Sequence, residues 1–138
     1  MATKTPTNPE YISPTPGYIT LVASGIQNST TGVTATLFEE LKQCGFNAAS
    51  GSITYPDIAT TLTNAANKGI KFFLVQAHLT ESEALCKNLV NTFKTYTGLG
   101  GWNLKTQITY DEMSETGSYK KYYDLIKSQD NSHVILIS

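Results

Sequence analysis

The residues with chemistry to offer are few and mostly uncharged. Asp111-Glu112 places two carboxylates just after Tyr110, with Gln107 a short step upstream. His78 can bind a ligand or move a proton near neutral pH. Asn47 and Gln76 carry amides that both donate and accept. Ser24, Gly25 and Ser50 complete the set. Amides, hydroxyls, an imidazole and a phenol form a neutral polar and aromatic mix of the kind that hydrogen-bonds sugar hydroxyls. Each residue also has a plainer role. Asp111-Glu112 suits a helix N-terminus, where negative charge is favoured. His78 fits a solvated loop.

These positions gather only if the chain forms a parallel α/β sheet, because ligands sit at the C-terminal ends of such strands. The pattern predicts that sheet. Tyr18–Ala23 is expected as the first strand, followed by a Ser24–Gly32 loop rich in Gly, Asn, Ser and Thr. Leu37, Phe38, Leu41 and Cys44 carry helical spacing across 33–44, closed by Gly45. A second strand is expected over Phe46–Ser50, and a helix over Ile58–Lys68, with Ile58, Leu62, Ala65 and Ala66 on one face and Gly69 at its end. Ile70–Gln76 is a near-continuous apolar run, as a strand covered on both faces needs.

Thr80-Glu-Ser-Glu83 resembles a capping box opening a helix to about Tyr96, with Leu85, Leu89, Val90 and Phe93 in register. Gly98-Leu-Gly-Gly101 breaks it, and Trp102–Ile108 is expected as the fourth strand. A fourth helix is expected over Ser114–Ser128, with Tyr119, Tyr122, Tyr123 and Ile126 coating the sheet. His133–Ser138 is the fifth strand. Trp102 and His133, at strand openings, are expected at the far edge in packing roles. Five parallel strands alternating with helices fit half of a (β/α)8 barrel or an open flavodoxin-like three-layer sandwich.

The bulk numbers exclude several classes. The 138 residues suit one domain, with 18–138 expected as the α/β body. Charged residues make up 15%, the net charge is −1, and the ten basic residues, all lysines, are scattered, so no footprint for nucleic acid exists. No apolar run is long enough to span a membrane. Cys44 and Cys86 are expected as buried thiols rather than a metal or redox pair, since no Cys-x-x-Cys occurs. No metal or other cofactor is expected. Neither Gly-x-Gly-x-x-Gly nor Gly-x-x-x-x-Gly-Lys-Ser/Thr is present. The Ser24–Gly32 loop is polar enough to cradle a phosphate, so a small-anion or nucleotide-binding function stays open. Residues 1–17 hold four of the five prolines and read as a flexible tether. Such tethers suit exported bacterial proteins. The expectation is a periplasmic or surface-tethered location, with the export signal absent from this chain.

Three segments carry a family resemblance: Leu41-Lys-Gln-Cys-Gly-Phe-Asn47, Gly101-Trp-Asn-Leu104, and Ile126 to His133 with Asp130 between. In this order they resemble the first half of bacterial (β/α)8 glycoside hydrolases of the cellulase and β-galactosidase superfamily. The resemblance implies a general acid/base Glu at the end of the fourth strand and a nucleophilic Glu near the seventh. Retaining hydrolysis needs those carboxyls ~5 Å apart, one of them protonated. Aligned without gaps, Gln107 occupies the acid position, and an amide cannot deliver that proton. With a short insertion, Glu112 becomes the acid. Neither alignment supplies the seventh strand, so no complete dyad is encoded. Three readings follow: a non-catalytic, carbohydrate-binding domain or module of a larger exported protein; the N-terminal part of an active hydrolase using Glu112; or the flavodoxin-like binder. Asn47, Gln76, His78, Gln107 and Tyr110 are the candidate ligand-binding residues.

Overall fold

In the computed structural model, which describes residues 22–27, 33–76, 78–105 and 118–137, five strands alternate with helices. The elements are β1 (Val22–Gln27), α1 (Ala35–Gln43), β2 (Ala48–Ser52), a 3-10 turn (Tyr55–Asp57) and α2 (Ile58–Asn67). β3 (Lys71–Val75), the single turn α3 (His78–Glu81), α4 (Glu83–Phe93), β4 (Leu99–Lys105), α5 (Ser118–Gln129) and β5 (Val134–Ile137) follow. The expected N-terminal tether, Gln107, Tyr110 and Glu112 lie outside the described residues.

Two glycines set the starts of β2 and β3. Gly45 (φ 90°) and Gly69 (φ 70°) sit in the left-handed region, where a side chain is strained. Each makes the double bond of a Schellman motif. Gly45 N donates to Lys42 O and Phe46 N to Leu41 O (2.9 and 3.0 Å). Gly69 N donates to Ala66 O and Ile70 N to Ala65 O (3.0 and 2.9 Å). Phe46 and Ile70 therefore belong to helix caps, and the strands begin later than their β-rich residues suggest.

Other boundaries move for equally local reasons. The helix after β3 opens at Ser82, not Thr80: Ser82 is extended and its hydroxyl accepts from Leu85 N, ending the separate turn α3. β4 begins at Leu99, three residues before the expected Trp102. Its glycines serve packing rather than a turn. A Cβ on Gly100 would lie 2.9 Å from the Phe73 ring, and one on Gly101 would lie 2.5 Å from Val134 O. β1 runs through Ser24 and Gly25, which were expected in a loop. Its pairing with β2 shifts register between Ala23 and Ile26, and pairing overrides weak local propensity there.

The strand order is β1-β2-β3-β4-β5, all parallel. A flavodoxin-like sheet would have the order 2-1-3-4-5. Steady progression in one direction through crossovers of one hand places the described crossover helices on the same face. The sheet is therefore one arc of a barrel-type fold, which settles the choice between the two expected architectures.

The side chains divide accordingly. Ala49, Phe72, Leu74, Leu99, Trp102 and Leu104 join Phe38, Ile58, Leu62, Leu89, Val90 and Ile126 in one apolar core under the helices. The opposite face carries Ser50, Phe73, Gly101 and Val134 in one row, then Ser52, Val75, Asn103 and Leu136 nearer the C-terminal ends. At the edge strand that face is open: Val134 is 51% and Leu136 38% exposed. Three expected core positions are corrected. Cys44, the C-cap of α1, is exposed, and Leu85 and Tyr123 face solvent while Cys86 and Tyr122 are buried.

Candidate functional site

The loops leaving β2 and β3 bring a small polar and aromatic group together at the C-terminal edge. Gln76 follows the last residue of β3 and is buried; its Nε2 donates to Ile53 O, tying the β2 exit to the β3 exit. Gln76 O accepts from Leu79 N (3.1 Å), which starts the turn α3. That turn carries His78, whose Nδ1 lies 2.7 Å from Glu81 Oε2. The His78 ring meets Tyr55 edge-on at 6.2 Å, and Tyr55 OH accepts from Asn88 Nδ2 (3.3 Å). Tyr55 is exposed. The cluster can hydrogen-bond hydroxyls and offers one imidazole–carboxylate pair for proton movement.

Of the candidate residues read from sequence, only Gln76 and His78 meet here. Asn47 is corrected to the other edge: it precedes β2, and its carbonyl accepts from Lys71 N at the start of β3 (3.1 Å). The expected strand over Phe46–Ser50 already has Asn47 near its start, so neither placement of β2 puts it at the C-terminal edge. Gln107, Tyr110 and Glu112 lie outside the described residues. Tyr55 and Asn88 were missed, since neither stands in a recognisable motif. Asn103 was also missed. It lies on the opposite face of β4, in register with Val75 and Leu136. It is 5% exposed, and its Oδ1 is the one buried side-chain polar atom among the described residues with no hydrogen-bond partner. Leaving such an acceptor unpaired costs about 1–3 kcal/mol.

Among the described residues, no group of three His, Cys, Asp or Glu is placed to hold a metal ion, and no helix is long and apolar enough to cross a membrane. The described carboxylates near the C-terminal edge are each engaged. Asp57 accepts from Thr54 Oγ1 (2.7 Å), Glu81 adjoins His78, and Glu83 bridges to Lys121 (2.7 Å).

The strongest buried electrostatic cluster lies at the opposite edge. Asp130 Oδ2 accepts from Trp102 Nε1 (2.8 Å) and lies 2.7 Å from His133 Nδ1. Asp130 Oδ1 accepts from Ser132 N, Ser132 Oγ and His133 N (3.1, 2.8 and 3.2 Å). Burial alone would raise the Asp130 pKa, but the bonds from Trp102, Ser132 and His133 outweigh it and hold the carboxyl well below the usual range. Trp102 is fully buried in mid-β4, under the helices rather than at a strand opening. A hollow of about 370 Å³ beside Asp130 is lined by Lys94, Lys127 and Gln129. Its lysines are occupied: Lys94 Nζ donates to Gln129 O (2.9 Å) and Lys127 Nζ to His133 O (3.1 Å).

No family profile and no curated protein matches the sequence. Solved structures do match the fold. An endoglucanase of Pseudomonas stutzeri aligns with 84% of this chain at 14% identity and a TM-score of 0.65, over 51% of its own length. The same endoglucanase in complex with cellobiose gives 0.64 at 14% identity, over 82% of this chain and 49% of its own. A family 39 glycoside hydrolase from Bacteroides cellulosilyticus gives 0.57 at 13% identity, over 83% of this chain and 31% of its own. The chain thus has a glycoside-hydrolase-like α/β fold and spans about half the length of the endoglucanase.

Proposed function

We propose that this chain is a carbohydrate-binding domain built on one arc of a glycoside-hydrolase-like barrel, with no hydrolytic activity of its own. The observation that carries the reading is the polar and aromatic edge around Gln76, His78, Tyr55 and Asn88, set in a fold similar to glycoside hydrolases. Neutral amides, phenols and imidazoles suit sugar hydroxyls. Asp57, Glu81 and Glu83 each hold a structural partner, Thr54, His78 and Lys121, which supports binding over cleavage at this edge.

The deciding experiment incubates the protein with soluble β-glucans and β-xylans and measures both reducing ends and binding. Binding without release of reducing ends is expected. Release that disappears in Glu112→Gln would overturn the reading. It would favour the second one, in which the chain is the N-terminal part of an active barrel with Glu112 as acid. Exposed Val134 and Leu136 support that alternative, since further strands would cover them.

A further inference from the structure

Two hollows at the N-terminal edge of the sheet differ in what their side chains have left to offer. The one beside Asp130 is already engaged: Lys94, Lys127, Gln129 and Ser132 all bond within the protein. The other, of about 400 Å³, opens between the end of α2 and the turn from α4 into β4. That volume falls within the range of small-molecule sites. Its floor is Leu62, Ala66 and Gly98. Its walls are polar. Asn67 and Thr95 are exposed, and their side chains bond to no other described residue. Thr97 stands beside them, and Thr63 Oγ1, which donates to Ala59 O (2.8 Å), keeps its capacity to accept. The turn beneath is held firm. Tyr96 N donates to Phe93 O and Leu99 N to Tyr96 O (3.0 Å each), and the Tyr96 ring packs on Phe93 at 5.4 Å. Gly98 O accepts from Phe72 N (2.7 Å). A preformed site of this kind loses little entropy when it is filled. No charged side chain lines it. Lys71 and Lys68, close by in sequence, serve other partners: Lys71 Nζ donates to Thr97 O (2.6 Å), and Lys68 bridges to Glu39 (3.1 Å). The N-terminal edge of a barrel-type sheet ordinarily serves stability, yet Asn67 and Thr95 hold nothing together there. Hydroxyls, one amide, a phenol ring and an apolar floor suit a neutral ligand with one apolar face and a hydroxylated rim, as a pyranose has, and not a phosphate or carboxylate.

We propose that this hollow is a second saccharide site, at the edge opposite the His78 cluster, in which a neutral pyranose lies over Leu62 and Ala66 against Tyr96 and its hydroxyls bond to Asn67, Thr95 and Thr97. The two edges stand about 17 Å apart along β3, so the sites are separate. This second site requires no saccharide at His78, and it stands or falls apart from that reading.

The test titrates the intact 138-residue protein with cellobiose, xylobiose and mannobiose, with adenosine as a neutral heterocycle and inorganic phosphate as an anion. Binding is read from backbone amide shifts. One disaccharide should shift Asn67 and residues 95–98, and neither adenosine nor phosphate should. Asn67→Ala and Thr95→Ala should each weaken that disaccharide about fivefold by removing one hydrogen bond. Because both side chains are exposed, Tm should move by less than about 3 °C in either variant, so the loss is one of binding and not of folding. Shifts at the hollow with none around His78 support this site and count against sugar binding at the other edge. Shifts confined to Tyr55, His78 and Asn88 that survive both substitutions overturn this site and spare the carbohydrate-binding reading. Absence of any shift with every disaccharide overturns both. A shift at the hollow with adenosine or phosphate, and with no disaccharide, overturns the ligand class. Where a variant fails to fold, the wild-type shifts decide alone.

Discussion

Asp130 joins residues that are far apart in sequence, and its surroundings make its contribution measurable. Asp130→Asn keeps one acceptor oxygen and turns the other into an amide donor, so either Trp102 Nε1 or the backbone N–H groups of Ser132 and His133 lose their acceptor. Asp130→Asn is therefore expected to cost about 3 kcal/mol in urea unfolding. The pH dependence has a definite sign. The folded-state pKa of Asp130 is depressed, so its stabilisation is complete above the unfolded value of about 4 and is lost as pH falls below that. Asp130→Asn should flatten the loss of stability below about pH 4 relative to the parent. A parallel acid slope in both proteins would show that other carboxylates dominate. The two thiols differ as sharply. Burial pushes the Cys86 thiol up to about 11, whereas Cys44 is exposed at the end of α1. A thiol reagent at neutral pH should label Cys44 and spare Cys86 until the protein is unfolded, as peptide mapping would show.

At the scale of elements, the turns carry as much information as the strands. The turn into β4 shows this best. A Cβ on Gly98 would lie 2.0 Å from Leu62 O, and Gly98 O accepts from Phe72 N (2.7 Å). Backbone stands on both sides, so neither can give way. Gly98→Ala should cost about 3 kcal/mol or more and separate the end of α2 from the α4–β4 turn, a change that thermal unfolding would register. Its sequence context shows only a helix breaker. The same limit explains most of the boundary errors. Helical spacing and the closing glycines Gly45 and Gly69 were legible because each is a local signal. The starts of β2 and β4 were not. Phe46 is captured by a helix cap, and Gly100-Gly101 make room for a ring from β3. The family landmarks were legible for a related reason. Gly45-Phe46-Asn47 ends α1 and leads into β2, while Trp102 and Asp130 hold each other across β4 and the β5 entry. They are signatures of a fold. The polar group around His78 and the idle amide of Asn103 arise from contacts between distant loops and strands, which no local pattern records.

For the whole molecule, the consecutive parallel order makes a sheet with two unlike faces. Parallel sheets usually bury both faces, and the apolar run of β3 fits that rule. β5 departs from it. Its Ile135 packs toward the helix-covered core, while Val134 and Leu136 on either side point to the opposite, open face. Neighbouring residues of one strand should then respond differently to the same kind of change. Ile135→Ala removes packing from the core and should cost about 2 kcal/mol. Val134→Ala and Leu136→Ala should each cost clearly less than Ile135→Ala, because both side chains are partly exposed and leave no core cavity. Equal, large losses at all three positions would mean that both faces of β5 are covered in solution, as in a closed barrel or an assembly. Urea unfolding over a range of protein concentrations separates those two outcomes. A closed barrel gives concentration-independent midpoints, and an assembly gives midpoints that rise with concentration. Alternation along β5, with concentration-independent midpoints, is the behaviour expected of an edge strand that is covered by the helices on one side and exposed on the other.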